Sequence, residues 1–333
     1  MSDWIKLAIE QEQINLFKYD SFQNQKVIGA GEFDVVYKAF SNDIEKIIVL
    51  KRLYDDDNGI WRDIFIKDIK NISVLTHHEN VAKFFGITQD PETKTYYRVL
   101  QFANNGDLRY YLSNHFSELD WETKIRMAKD ISSGINFLHD ADIVHSNLHD
   151  RNILVHNDKL MITDFGLSKS LENNTKPISG GTCAFSDPIY FENPSYKRDK
   201  ASDIYSLGVL FWELSKGLPP FKNMRDSEIT LRVNRGERES PIKGTPIEFM
   251  IIYCNAWNND PNLRPSIVEI CDKLSCMQMT QVVPVYQGNE NTSIGTDISS
   301  YDLENFISPK LNNPIAFTEQ RFNQLQVVSK DYS

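Results

Sequence analysis

The sequence has little of what would tie it to an oxidising compartment, a structural metal or a membrane. Its 333 residues hold four cysteines, Cys183, Cys254, Cys271 and Cys276. None forms a C-x-x-C pair and no Cys/His group has zinc spacing, which excludes a zinc module and leaves reduced, partly buried thiols as the expectation. No apolar run reaches the length of a membrane span. The longest, around "SLGVLFWEL", is broken by Gly208 and ends in Glu213. The start, "MSDWIKLAIE", lacks a basic-then-apolar leader, and neither lipidation pattern is present. The expectation is a cytoplasmic protein without a membrane partner. A net charge of −10 argues against general nucleic-acid binding. Hydrophobic residues make up 41% and charged residues 25%, the balance of a soluble globular chain.

Periodicity divides the chain. Residues 3–18 mix apolar and charged residues and predict a short helix. "DVVYKAF" and "EKIIVLKRL" are β-branched and aromatic runs parted by the turn signal "SND", and "TYYRVLQFA" predicts another strand before the turn "NNGD". Between them, Trp61, Ile64, Phe65, Ile72 and Leu75 recur at helical steps. Asp68 falls on that apolar face, where an acid asks for a cationic partner. Beyond the turn the chain becomes helical: Ile125, Ala128, Ile131, Ile135 and Leu138 form a stripe, and Ser206–Leu214 predicts a deeply buried helix. After residue 276 the composition turns polar, rich in Asn and Ser, and aperiodic, as expected of a flexible tail.

"IGAGEFDVVYKAF" carries Gly29 and Gly31 and is followed by a strand. A dinucleotide fold needs a helix there. A glycine hairpin lying over phosphates fits instead, because backbone N–H groups can approach the oxygens with no Cβ between. Lys51 then ends an apolar strand, and Asp68 follows on its helix. That order suits Lys51 to grip α- and β-phosphates while Asp68 orients it. An Asp in place of Glu is one methylene shorter, so the helix must sit closer by roughly 1–1.5 Å.

The stretches "HENVAKFFGI", "VLQFANNGDL", "IVHSNLHDRNIL", "ITDFGLSKSL", "GTCAFSDPIYF", "KASDIYSLGVLFWELSKGLPPF" and "WNNDPNLRPS" together resemble the eukaryotic protein kinase family, most closely its tyrosine-kinase-like branch. The resemblance covers roughly residues 22–276. It implies an α+β, two-lobed fold: an N-terminal extension (1–21), a strand-rich lobe (22–102), a helical lobe (103–276) and a polar tail (277–333). ATP and magnesium are the implied cofactors, and a protein substrate or signalling partner is implied. By position, Asp164 and Asn152 are the implied magnesium ligands and Leu100 the gatekeeper. Gln101 to Ala103 would bind the adenine edge, with Ile28, Val36 and Leu154 sandwiching the base. Val49 stands where the family prefers alanine, and its extra methyl groups narrow that space. Asp203 would brace the catalytic loop.

The departures cluster at the chemistry. Asn147 replaces the catalytic aspartate, Ser146 the arginine that reads a phosphorylated loop, and His149 a lysine or arginine beside the transferred phosphate. Asp34 takes the place of a third glycine. Asp187, Pro188 and Ile189 replace A-P-E, so Arg264 needs another acid; Asp187 and Glu192 are nearest in sequence. A general base contributes roughly 10²–10⁴-fold, whereas positioning and metal electrostatics carry most of phosphoryl transfer. Two readings follow. One is a pseudokinase that binds ATP and magnesium. The other is a weak enzyme acting on Ser/Thr hydroxyls, with His149 or solvent taking the proton. Thr182 favours Ser/Thr over Tyr, and Arg151 leans the other way.

Overall fold

In the computed structural model, residues 14–30, 35–52, 78–164, 182–193 and 195–277 are described. All lie in the unit Met1–Met279. Six strands form one sheet in the order β1-β5-β6-β4-β3-β2. They are β1 Leu16–Lys18, β2 Phe22–Ala30, β3 Val35–Ser41, β4 Lys46–Arg52, β5 Phe84–Gln89 and β6 Tyr96–Gln101. The β2–β3–β4 meander is antiparallel. Its second turn, residues 42–45, closes with Glu45 in the left-handed region. One face of the sheet buries Phe22, Ala39, Ile48, Leu50, Tyr97 and Val99. These alternate along β4 and β6, as the period of a half-buried strand requires.

The helical part begins at Asp107, whose carboxylate caps α1 (Leu108–His115) by accepting from the Tyr110 N–H at 2.8 Å. It continues with α2 (Trp121–Asp140), the hairpin β7 (Ile153–His156) and β8 (Lys159–Ile162), and then α3 (Pro188–Glu192), α4 (Lys200–Lys216), α5 (Asp226–Asn234), α6 (Ile247–Ala256) and α7 (Ile267–Cys276). On α2 the stripe Ile125, Ala128, Ile131, Ile135 and Leu138 is buried. On α4 every residue from Ser202 to Ser215 is buried. A helix apolar on all sides belongs at the centre of a core, and α4 is the element around which α2 and α6 pack. It is held at both ends, by an Asp199/Ser202 capping box and by Gly217 at φ 73°. The arrangement is the α+β one that the resemblance implies, a strand-rich part followed by a helical part.

One segment departs from its expectation. The helix expected over 3–18 is absent at 16–18, where the backbone is a strand paired parallel to β5, and residues 1–13 lie outside the described residues. Main-chain pairing outweighs helical periodicity here. The Asn15 carbonyl accepts from Ile87 N–H at 2.9 Å, Asn15 Nδ2 donates to the Phe85 carbonyl at 3.1 Å, and Thr88 Oγ1 donates to the Phe17 carbonyl at 3.0 Å. The expected helix bearing Asp68, the glycine Gly31, Asp34 and the tail beyond residue 277 also lie outside the described residues.

Gly86 makes the docking of β1 possible. Its φ is +151°, and a Cβ there would collide with the Asn15 carbonyl oxygen and stand 2.9 Å from Phe17 Cε2. We predict that Gly86→Ala lowers the unfolding free energy by about 3 kcal/mol, measured by urea denaturation. In a chain lacking residues 1–18 the collision is gone, and the same substitution should cost only its backbone strain, about 1 kcal/mol. Equal losses in both chains would show that β1 does not press on Gly86.

Candidate functional site

The loop between α2 and β7 hangs from one buried carboxylate. Asp203 lies in the first turn of α4. Its Oδ2 accepts from the His145 N–H at 2.8 Å and its Oδ1 from the Ser146 N–H at 2.8 Å. The His139 ring stands 2.9 Å from Oδ2. Ser146 is held at φ 66°, a conformation that L side chains seldom adopt. His145 Nε2 lies 3.0 Å from the Thr163 carbonyl, which can only accept, so this nitrogen carries the proton. Nδ1 in turn accepts from the Asn147 N–H at 3.3 Å. Burial pushes the pKa of His145 down, against the pull of Asp203, which keeps that neutral tautomer in place.

From this anchor the loop places Asn147 and Asn152. The Asn152 amide nitrogen donates to the Asn147 carbonyl at 2.9 Å. Its backbone is tied on both sides, N–H to His149 O at 2.9 Å and carbonyl to Thr163 N–H at 3.0 Å. With Nδ2 committed, Asn152 Oδ1 is the end able to meet a hard cation. The Asn147 carboxamide makes no hydrogen bond within the described residues.

Asp164 follows Thr163 at φ 58°. Lys51 Nζ, from β4 in the other lobe, stands 2.5 Å from Asp164 Oδ2. Burial works against the charge of Asp164, but Lys51 and Arg98 outweigh it and hold the carboxyl at about 2. Asp164 is therefore an anion throughout the physiological range. Among the described residues no group of three or more His, Cys, Asp or Glu could hold a metal by itself. One carboxylate and one amide are a set that suits magnesium only together with phosphate oxygens.

The residues expected around a base line up by strand register. Gly29 pairs with Val36, Val36 with Lys51, and Val49 with Leu100. Ala103 packs with Ala82, Met161 and Leu154 in a small apolar cluster from both lobes. Ile28 is 48% exposed on β2. The Gln101 N–H is taken by the Lys83 carbonyl at 2.9 Å, whereas no residue among those described bonds the Ala103 N–H or carbonyl. Lys38 Nζ sits 4.4 Å over the Phe102 ring beside this strip. Asp68 and Gly31 cannot be placed against Lys51.

One departure in the loop takes a different form from its expectation. His149 was a candidate proton acceptor, and its geometry removes it from that role. It caps the short 3₁₀ turn Asp150–Asn152, Nδ1 accepting from the Arg151 N–H at 3.2 Å. Nδ1 is thus occupied and Nε2 protonated, and burial pushes the ring's pKa down to about 4. Next to it, Asp150 is fully buried and takes a short hydrogen bond from Arg109 Nε of α1. Glu213 of α4 is buried in the same cluster; burial and the charge of Asp150 raise its pKa well above the usual carboxylate range. No motif signalled this cluster, because its members come from three distant segments and Asp150 reads as an ordinary loop acid.

Arg264 finds its acid in Asp187, not Glu192. Nη1 meets Asp187 Oδ2 at 2.6 Å and Nη2 meets Oδ1 at 3.0 Å, with both side chains buried. Ser202 Oγ donates to the same carboxylate at 3.0 Å, and Arg264 Nε donates to the Asn258 carbonyl at 2.8 Å. A buried pair so fully bonded meets the condition under which ion pairs are tolerated inside a protein. Most of the segment between Asp164 and Asp187, with Ser168, Ser170, Thr175 and Ser179, lies outside the described residues.

Residues 22–274 match the family described as protein tyrosine and serine/threonine kinase. The chain is similar to a probable serine/threonine-protein kinase, kinX, of Dictyostelium discoideum, 29% identical over 307 residues, covering 89% of this chain and 27% of that protein. It is similar to the serine/threonine-protein kinase VIK of Arabidopsis thaliana, 29% identical over 274 residues, 78% of this chain and 60% of that protein. It is similar also to the tyrosine-protein kinase Fer of Rattus norvegicus, 27% identical over 261 residues, 76% of this chain and 31% of that protein. The chain thus spans between about a quarter and three-fifths of these relatives' length. No helix among the described residues is long and apolar enough to cross a membrane.

The loop's histidines set a pH dependence. His149 titrates at an ordinary 6.5 when unfolded and about 4 when folded. Between these values the unfolded chain binds more protons, so stability falls as pH drops from 6.5 towards 4. At about 1.4 kcal/mol per pH unit, His149 alone contributes roughly 3 kcal/mol to that loss, and His145 adds in the same direction. We predict that His149→Asn, which keeps a capping acceptor, flattens the decline by close to one proton, measured by urea denaturation from pH 7 to 4.5. An unchanged slope would mean that the ring is not sealed as described.

Proposed function

The chain belongs to the protein kinase family, and on that premise we propose that it binds ATP with magnesium and acts as a pseudokinase, impaired in phosphoryl transfer. The carrying observation is the contrast within one site. Lys51 and an ionised Asp164 stand 2.5 Å apart beside an oriented Asn152, while the position of the proton acceptor holds an amide. In this reading Asp164 and Asn152 Oδ1 hold the metal, Lys51 holds phosphate, and Gln101 to Ala103 meet the adenine edge. Ile28, Gly29, Val36, Val49 and Leu154 line the base and phosphates. Bound magnesium supplies charge stabilisation on the phosphates. The polar groups present fit that task. Asp68 is kept as the residue orienting Lys51. The signalling role, exerted by docking a protein partner in the cytoplasm, follows from a site better equipped to hold nucleotide than to turn it over.

A second reading, a slow protein kinase on Ser/Thr hydroxyls, has one observation in its favour. The Asn147 carboxamide makes no hydrogen bond among the described residues and can orient a hydroxyl. His149 cannot serve this reading as base, so solvent must take the proton.

Two measurements separate these readings. Magnesium-ATP at 100 times its Kd should stabilise the chain by about 2.7 kcal/mol and raise the Tm by roughly 5–10 °C. Lys51→Ala should blunt the shift. A flat melting curve at millimolar ATP overturns nucleotide binding, with Val49 the first residue to shorten. Asn147→Asp restores a carboxylate at the transferred proton. Its phosphotransfer rate should rise about 10²–10⁴-fold, and the gain should vanish with Asp164→Ala. An unmodified protein turning over near ~1 s⁻¹, the low end for kinases, would sink the pseudokinase reading.

A further inference from the structure

Ser146 is strained, and both of its backbone polar groups are held from the start of one helix. Its N–H goes to Asp203 in the first turn of α4. Its carbonyl accepts from Arg198 Nη1 at 2.6 Å. Arg198 directly precedes Asp199, the cap residue of α4. The arginine is therefore delivered by the same rigid helix start that delivers Asp203. Its guanidinium carbon also lies 4.0 Å over the ring of Tyr190 on α3. Tyr190 is tied to Asp187 through its N–H at 3.0 Å, and Asp187 is locked to Arg264. The guanidinium thus bridges the Asp187 segment and the catalytic loop.

The consequence lies one peptide further on. A carbonyl clamped at Ser146 fixes the plane of the Ser146–Asn147 peptide. That orients the Asn147 residue, whose carbonyl takes the Asn152 amide nitrogen. This bond decides which end of the Asn152 carboxamide faces the metal position. Rotate the Asn147 carbonyl away and the carboxamide loses the partner that keeps its oxygen outward. A positive φ at a non-glycine residue persists only when its surroundings over-determine it. Asp203 fixes one side of Ser146 and Arg198 the other.

We propose that Arg198 is a positioning residue for this site. By clamping the Ser146 carbonyl it sets the orientation of Asn152 towards the metal, and through Tyr190 it couples that orientation to the Asp187 segment. The metal half of the proposal rests on the reading that the chain binds magnesium-ATP. The guanidinium suits the place because it can stack flat on an aromatic ring and donate in its own plane at once. Lysine retains the donor and loses the flat stack.

The test uses the full chain and measures ATP binding with saturating magnesium and with EDTA. Arg198→Ala should weaken binding in magnesium about 10-fold, the low end for outer partners of metal ligands, and leave binding in EDTA unchanged. Arg198→Lys should recover most of the loss. In the Asn152→Ala background, Arg198→Ala should add nothing further. Equal losses with and without magnesium, or full additivity with Asn152→Ala, would overturn the proposal and leave Arg198 a general stabiliser. Amide hydrogen exchange without ligand reads the clamp by itself. Exchange at Asn147 should speed up severalfold in Arg198→Ala, and unchanged exchange there overturns the clamp. A wild-type chain that binds no ATP under either condition would instead overturn the nucleotide reading and the metal half with it, with exchange at Asn147 deciding the clamp.

Discussion

A carboxylate buried in the first turn of α4 is the constraint on which the site depends. Asp203 is a carboxyl group buried beside the helical core, and it is tolerated because both oxygens are spent, on two N–H groups of the loop and on the His139 ring of α2. The loop in turn keeps a left-handed Ser146 only because those donors converge there. Every functional placement follows from this exchange. The helix is buried because its residues are apolar on all faces, the carboxylate is rigid because the helix is buried, and the loop is rigid because the carboxylate is. Asn152 inherits its orientation at the end of that chain of constraints.

The polar groups suited to holding a ligand are cross-braced, and among the described residues the Asn147 side chain is not. Lys51 meets Asp164 from the opposite lobe, and Asn152 is fixed by three hydrogen bonds. Asn147, by contrast, is fixed through its backbone, while its carboxamide makes no hydrogen bond among the described residues. His149 took a structural post as a cap, and a residue that gives its Nδ1 to a backbone N–H has no lone pair left for chemistry. Glu213, buried beside Asp150 with its pKa raised by burial and by that charge, is a further case of an ionisable group placed inside the core.

Much of this was legible in the sequence where local pattern and chemistry coincide. The stripe on α2, the all-apolar α4 and the strand alternation around Lys51 each state their partner implicitly, since an amphipathic face must be covered. Asp203 was legible only through the family resemblance, which implies an acid at that position bracing the loop. The strand at Leu16–Lys18 was not, because its bonds with β5 are accepted by main-chain carbonyls, to which side-chain periodicity is blind. The choice of Asp187 over Glu192 for Arg264 was equally hidden. Both acids are near in sequence, and only the fold shows that one is buried and the other exposed. Arg198 carried no signal at all, for a bond to a main-chain carbonyl leaves no mark in the sequence.

The parallel pairing of β1 with β5 has a consequence for the order in which the chain assembles. The partners Leu16 and Ile87 are separated in sequence by the whole β2–β4 meander. Closing so long a loop carries an entropic cost before any pairing offsets it. The outer edge of β5 should therefore stay open until the rest of the sheet has formed, and an open edge is a template for another chain. Once docked, β1 replaces that edge with one only three residues long that ends in a lysine. A short, charged rim is a poor surface for strand addition. β1 thus works as an edge guard on the β5 side of the sheet, covering there a main-chain rim that would otherwise invite a second copy of the chain.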